Sequence, residues 1–361
     1  MLIPVLLEVN RAVSLLEVGI YRGERSRVYT ENRCREGIIF NYRQQIMWTI
    51  FGKHNLPLLL FSILASVLLA SAFAYARTWY VKPDQTGDAP TIQAAIDSST
   101  TGDTVLVAAG SYYPMEPILC SLKDSLYILG EEGAENTIID AEGRFVPFGI
   151  DVGYIVLKGF TFQNNGDGAI AIGGLGEKHT IIEDNVIRNN QGAAIGISFS
   201  SNVTIRNNLI YSNGGGVSSI DMTSGITIEN NTIISNAGYG ISLDNYGTFN
   251  LYNNLIVNNY YGVHGYGGSN NLICNNAFGN TQDYVVLDNP IGSNGNISID
   301  PQFCALDPVA TGNFYLQSDS PCAPGNHPDS YPCGVIGKFS VGCGSESTEE
   351  TSWGKIKDMY R

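Results

Sequence analysis

Between residues 150 and 300 the chain alternates apolar and polar positions in short runs, and the alternation restarts at a fixed interval. Val203 and Ile205 stand two apart, Ile210 follows, and clusters of Gly and Asn break each run. Alternation over four to six residues predicts short strands, and the Gly and Asn clusters predict tight turns. The phrase Ile205-Arg-Asn-Asn-Leu-Ile-Tyr-Ser-Asn213 returns as Ile228-Glu-Asn-Asn-Thr-Ile-Ile-Ser-Asn236 and as Leu251-Tyr-Asn-Asn-Leu-Ile-Val-Asn-Asn259. Looser copies begin at Leu157, Ile182 and Ile273, so the six starts lie 25, 23, 23, 23 and 22 residues apart. A fixed period in the twenties is the signature of a solenoid. The segments lack the three-and-four apolar spacing of a helical repeat and the framework of a leucine-rich one. Three short strands per coil is the remaining geometry, with equivalent residues about 4.8 Å apart on neighbouring coils.

The stacked positions agree with this. Asn185, Asn208, Asn231, Asn254 and Asn276 fall in one column, and Asn190, Asn213, Asn236 and Asn259 in another. An amide side chain both donates and accepts, so identical amides one strand apart can bond up the column. Lys158, Glu183, Arg206 and Glu229 form a third column whose charge alternates from coil to coil. Opposite charges on neighbouring strands attract, which assigns these four to structure.

The chain resembles the right-handed parallel β-helix family, which includes pectate lyases and polygalacturonases. The resemblance runs from about Thr78 to Gly344. It is carried by the repeats and by the opening phrase Thr91-Ile-Gln-Ala-Ala-Ile-Asp97, followed by Gly102 to Tyr112. It implies an all-β solenoid of about nine three-strand coils, with a short helix over the open N-terminal end. Ile92 and Ile96, four apart, would face the first coil. The phrases Asp300-Pro-Gln-Phe303 and Gly312 to Pro321 resemble the closing segment of exported β-helix proteins. One such fold hosts many activities.

Leu56 to Ala76 is strongly apolar, follows Lys53 and ends in Ala74-Tyr-Ala76. Charged, apolar and small-residue regions in that order predict a cleaved secretory signal over 47–76, with no membrane span after cleavage. Met47 is the expected start, so residues 1–46 would not belong to the translated protein. The β-helix then occupies 77–344 with a Cys-rich cap at 300–344, and 345–361 is a polar tail. From Arg77 onward 12 Lys and Arg face 29 Asp and Glu. That acidic balance argues against nucleic acid and anionic membranes as partners, and anionic glycans would need a bridging cation such as Ca²⁺. Six of the seven cysteines follow the signal, and Cys304, Cys322, Cys333 and Cys343 crowd the cap. An even number in an exported chain predicts disulfides, with the pairing open. A secreted or cell-surface monomer is expected.

The candidate chemistry lies on strands that follow glycine turns. Val217, Ile241 and Val263 would point inward, which sends Ser242, Asp244, His264 and Tyr266 outward, with Asp221 beside them. Asp221, Asp244 and His264 would form a column in which neighbouring carboxylates supply an acid and a base, as glycoside hydrolysis requires. The order is similar to that of polygalacturonases. However, Asp221 lacks an Asn-Thr-Asp context, Asn245 stands where a second Asp belongs, and no Arg-x-Lys follows His264. For lyase chemistry, Arg188 is the remaining base. Tyr239, Tyr246, Tyr260, Tyr261 and Tyr266 concentrate within two coils and offer rings that stack on sugars. The reading is an exported protein that binds carbohydrate or another extracellular partner through its solenoid face. The alternatives are a polysaccharide lyase or glycoside hydrolase using the Asp/Asp/His column, and a structural spacer.

Overall fold

A computed structural model describes residues 76–343, apart from 122–124, 152, 175–176, 222, 244–246, 266–268 and 286–287. The expected signal peptide, residues 1–46 and the polar tail lie outside the described residues. The described chain winds through three parallel sheets of nine, eight and eight strands. They make a solenoid of about eight turns, against the nine expected. The first sheet runs from Thr78–Val81 to Ser269–Ile273, the second from Gly110–Tyr112 to Asn276–Phe278, and the third from Ile118–Cys120 to Gln282–Val285. Each coil contributes one strand to each sheet.

The paired asparagines divide two jobs. The first of each pair, at Asn207, Asn230 and Asn253, turns the corner with φ of 53°, 54° and 52°. Asn tolerates that left-handed geometry better than most residues. The second points into the core and builds a ladder. Nδ2 of Asn185 donates to Asn208 Oδ1 at 3.2 Å, and the steps Asn208 to Asn231, Asn231 to Asn254 and Asn254 to Asn275 each measure 3.0 Å. Every amide oxygen also accepts from the backbone N–H one coil below, as Asn231 Oδ1 does from Asn208 N at 2.9 Å. At the next corner Asn165, Asn190, Asn213, Asn236 and Asn259 repeat the device through to Asn280. Buried polar groups are tolerable only when bonded, and here each meets the need of the next.

One ladder residue and one coil start need correction. The rung after Asn254 is Asn275, not Asn276, and Leu251 pairs with Leu272 rather than Ile273. This coil has 21 residues, and Cys274 occupies the left-handed corner at φ 58° where Asn207, Asn230 and Asn253 stand in the preceding coils. Since the strand period is two, a one-residue slip exchanges inside for outside. Asn276 instead donates to the Ile299 carbonyl at 2.7 Å and to Cys322 Sγ at 3.0 Å, tying the last coil to the cap.

The charge column stands in register along the first sheet. Glu183, 5% exposed, is gripped by Lys158 at 3.1 Å and Arg206 at 2.6 Å. The N-terminal helix is Ile92–Ser98, capped by the Thr91 side chain accepting from Ala94 N. Ile92 and Ile96 are buried in the core it covers.

The closing segment does more than cap the last coil. Cys274 bonds Cys333, and Cys304 bonds Cys343, while Cys322 and Cys120 are buried thiols. Cys322 was among the four cysteines expected to pair, and it sits instead beside Asn276 with its pKa pushed up by burial to about 12. Cys274, from the repeats, takes its place. Beyond Cys333 the chain lies along the outer face of the second sheet. Phe314, Ile336 and Phe339 pack on Leu209, Ile234, Leu255 and Val257. Lys338 Nζ donates to the Asn207 carbonyl at 2.5 Å and Gly337 N to the Asn253 carbonyl at 2.7 Å.

Candidate functional site

The first sheet carries the charge column and the second is covered by the C-terminal strap, but the third presents an open face. Strand alternation and register decide what it shows. Val217, Ile241 and Val263 pair inward and are buried, as expected. The outward column one residue on reads Gly149, Ala171, Gly196, Ser218, Ser242 and His264. Over five consecutive coils, then, the floor consists of residues no larger than serine. These small residues leave a groove of about 550 Å³. It spans the strands from Ile118–Cys120 to Gly215–Ile220, about 19 Å at roughly 4.8 Å per strand.

At Gly196 small size is not imposed by packing, whereas at Gly149 the Leu119 side chain would stand 2.8 Å from an added Cβ. An added Cβ on Gly196 would meet nothing within 4 Å, and its φ lies outside the left-handed range. Glycine weakens a strand interior and gives it no side chain to pack, so its presence on an open face keeps space clear. Exposed Leu119 and Ile220 offer apolar surface at the groove margins, at 45% and 55% exposure. Asp151, Asp167, Ser198 and Ser218 supply polar atoms. Ser121 Oγ holds Asp151 Oδ2 at 3.1 Å.

At its C-terminal end the floor continues into aromatic side chains. Tyr239 and Tyr261 pair in register and stack, with ring centroids 5.2 Å apart and planes 20° from parallel. Tyr260 meets Tyr261 edge-on at 4.6 Å and is 52% exposed. His264 packs against Tyr239 at 4.8 Å and Tyr261 at 5.9 Å, 7% exposed, and burial lowers its pKa. Gly215 precedes Tyr239 on the adjacent strand, and a Cβ there would find nothing nearer than the Tyr239 carbonyl at 3.7 Å.

The three-residue column anticipated for catalysis is not assembled as drawn. The register sets Ser242 beside His264 and Ser218 beside Ser242. Asp221 falls beyond the end of its strand, where φ is 55°, so it leaves the column at a corner. The residue of that coil in line with Ser242 and His264 is Ser218, and Ile220, two residues on, pairs with Ser198. Asp244, Tyr246 and Tyr266 lie outside the described residues. Arg188 belongs to the second sheet, where it bonds Gln163 and the Tyr211 hydroxyl, away from this face. Among the described residues no group of three or more His, Cys, Asp or Glu side chains could hold a metal ion. No described helix is long and apolar enough to cross a membrane.

The groove floor stands out less in the sequence than the titratable residues do, because glycine and alanine carry no chemistry of their own. Its signal was present all the same, as Gly or Ala at the middle of Phe148–Ile150, Ile170–Ile172 and Ala193–Ser198. Isoleucine flanks Ala171 and Gly196, and Phe148 and Ile150 flank Gly149, in strands that face a solid core.

Residues 146–295 match the family model described as a right handed beta helix region. No curated protein matches the chain. Among solved structures the chain is similar to the crystal structure of pectate lyase Pel9A, at 14% identity and a TM-score of 0.48, covering 76% of this chain and 98% of that one. A likeness at that identity concerns the fold and carries no catalytic residue across. With three parallel sheets, two asparagine ladders and coils of about 23 residues running through the matched stretch, this chain has a right-handed parallel β-helix fold, and its residues 146–295 match the family model for that region.

Proposed function

We propose that this is an exported protein that binds an extended glycan along the open face of the third sheet and does not cleave it. The observation that carries this reading is the continuity of the small-residue floor with the stacked Tyr239 and Tyr261. Sugar rings are flat, with apolar C–H faces and hydroxyl rims. Tyrosine meets both, through its ring and its hydroxyl. A row of positions one coil apart suits a repeating polymer, because each coil offers the same geometry one step further on. Ser242, beside His264, and Ser218, beside Ser242, supply hydroxyls that can donate to or accept from a sugar. Two disulfides, Cys274–Cys333 joining the solenoid to the cap and Cys304–Cys343 within the cap, together with the signal-like sequence, support export to an oxidising compartment.

The test is a polysaccharide panel read two ways. Retention of the purified protein on at least one glycan is expected, weakened in Tyr261→Ala. New reducing ends or unsaturated-product absorbance is not expected. Turnover that survives purification and is lost in Asp244→Asn would replace binding with catalysis. Indifference of the protein to every glycan, with its fold intact, would leave a spacer.

A further inference from the structure

Resting on that reading, we infer that the groove takes an uncharged polysaccharide and rejects a polyuronate. The charges on the page decide this. The groove is lined by the carboxylates Asp151 and Asp167, and by no lysine or arginine among the described residues. A uronate in every sugar would bring repeated negative charge against these two, in a protein that is already acidic, with a formal net charge of −14. The described cations that stand on the coils are engaged elsewhere. Lys158 and Arg206 close on Glu183 in the first sheet, and Arg188 bonds Gln163 and Tyr211 in the second. Arg144, which precedes the groove residue Val146, is ion-paired to Glu142 at 3.1 Å and donates to the Ala141 and Pro114 carbonyls.

An uncharged glycan reverses each term. Carboxylates accept hydrogen bonds from sugar hydroxyls, and bonds to charged acceptors are the stronger kind. The hydroxyls of Ser198 and Ser218 can donate or accept. Gly149, Ala171 and Gly196 let the chain lie close to the sheet, and Leu119 and Ile220 meet its apolar faces.

The experiment is affinity electrophoresis of the purified full chain in gels holding either a neutral polymer (galactomannan, xyloglucan or mixed-linkage β-glucan) or a polyuronate (polygalacturonate or alginate). Gly196→Leu is run alongside, because it fills the floor where a side chain meets no neighbour. Retardation by a neutral polymer, with affinity lowered about tenfold or more in Gly196→Leu at unchanged melting temperature, is the expected result. Retardation by a polyuronate that Gly196→Leu relieves would overturn the neutral assignment and leave glycan binding standing. Neutral-polymer binding that Gly196→Leu does not touch would remove the groove as its place. Passage unchanged through every gel would overturn glycan binding itself, and this inference with it.

Discussion

The second and third sheets are built from the same coils, yet their outer faces have opposite fates. On the second sheet the strands Thr232–Ile234 and Leu255–Val257 are apolar or β-branched at every position, and all six residues are buried. Ile233 and Ile256 face the core, while their neighbours face the C-terminal strap. On the third sheet, the outward residues from Gly149 to Ser242 are glycine, alanine and serine, and they floor an open groove. A parallel strand buried on both sides reads as a continuous apolar run, and one with a free face reads as an alternation. Both readings hold here within one coil, a few residues apart. The solenoid therefore marks in its sequence which side it closes and which it leaves open.

Breaking the covered face should have the largest effect. The Cys274–Cys333 bond closes a loop with a sequence separation of 59 and anchors the start of the strap. Replacing both cysteines by serine should lower unfolding free energy by about 4 kcal/mol on the chain-entropy account, measured by denaturant titration under non-reducing conditions. Amide exchange should rise along Leu255–Val257 and stay unchanged on the third sheet. Equal exchange on both faces would mean that the strap is not what distinguishes them. Ile336 is fully buried against this face. Ile336→Ala should cost about 3 kcal/mol by cavity formation, read from the same titration.

A single kind of substitution can be set against itself across the two faces. Gly337, in the strap, has φ +102° and approaches so closely that a Cβ would stand 2.9 Å from Leu255 Cβ. Gly337→Ala should therefore destabilise by about 2 kcal/mol through backbone strain and collision. Gly196→Ala meets open space, so it should be neutral or stabilise by up to about 1 kcal/mol. Thermal melts of the two variants check the contrast. Equal losses would show that Gly196 has a packing role, and the case for a floor kept clear would fall.

How much of this was legible follows from the same physics. The period, the ladders and the charge column could be read because each depends on identical residues one coil apart, and such pairs are visible at a fixed sequence interval. The step from Asn254 to Asn275 was misplaced by one because Asn276 follows immediately, and only the 21-residue register chooses between two adjacent asparagines. The partner of Cys333 was missed for a related reason, since Cys274 stands at a corner where asparagine is the rule. The strap had a signal that went unused, in the unbroken Thr232-Ile-Ile and Leu255-Ile-Val triplets. The column of Asp221 with His264 failed because the strand ends at Ile220, a boundary that the neighbouring serines do not reveal.

The smallest expected effect is on pH dependence, and it separates the two faces again. Lys338 under the strap and His264 among the tyrosines both have pKa values lowered by burial. For a base this means that the unfolded chain binds the proton more readily than the folded one. Stability is then undiminished above the unfolded pKa and falls as pH drops through that value toward the folded one. For Lys338 the window opens below about 10.4, and for His264 below about 6.5. The open face should therefore respond as pH falls below about 6.5. Unfolding free energy measured between pH 8 and pH 5 should decline toward acid in the wild type, and the decline should flatten in His264→Phe, which keeps an aromatic ring between Tyr239 and Tyr261. If the slope persists in that variant, the titrating group lies elsewhere. Glycan affinity measured on the same samples should weaken along with stability, because Tyr239 and Tyr261 pack on this imidazole, whose protonation burial opposes.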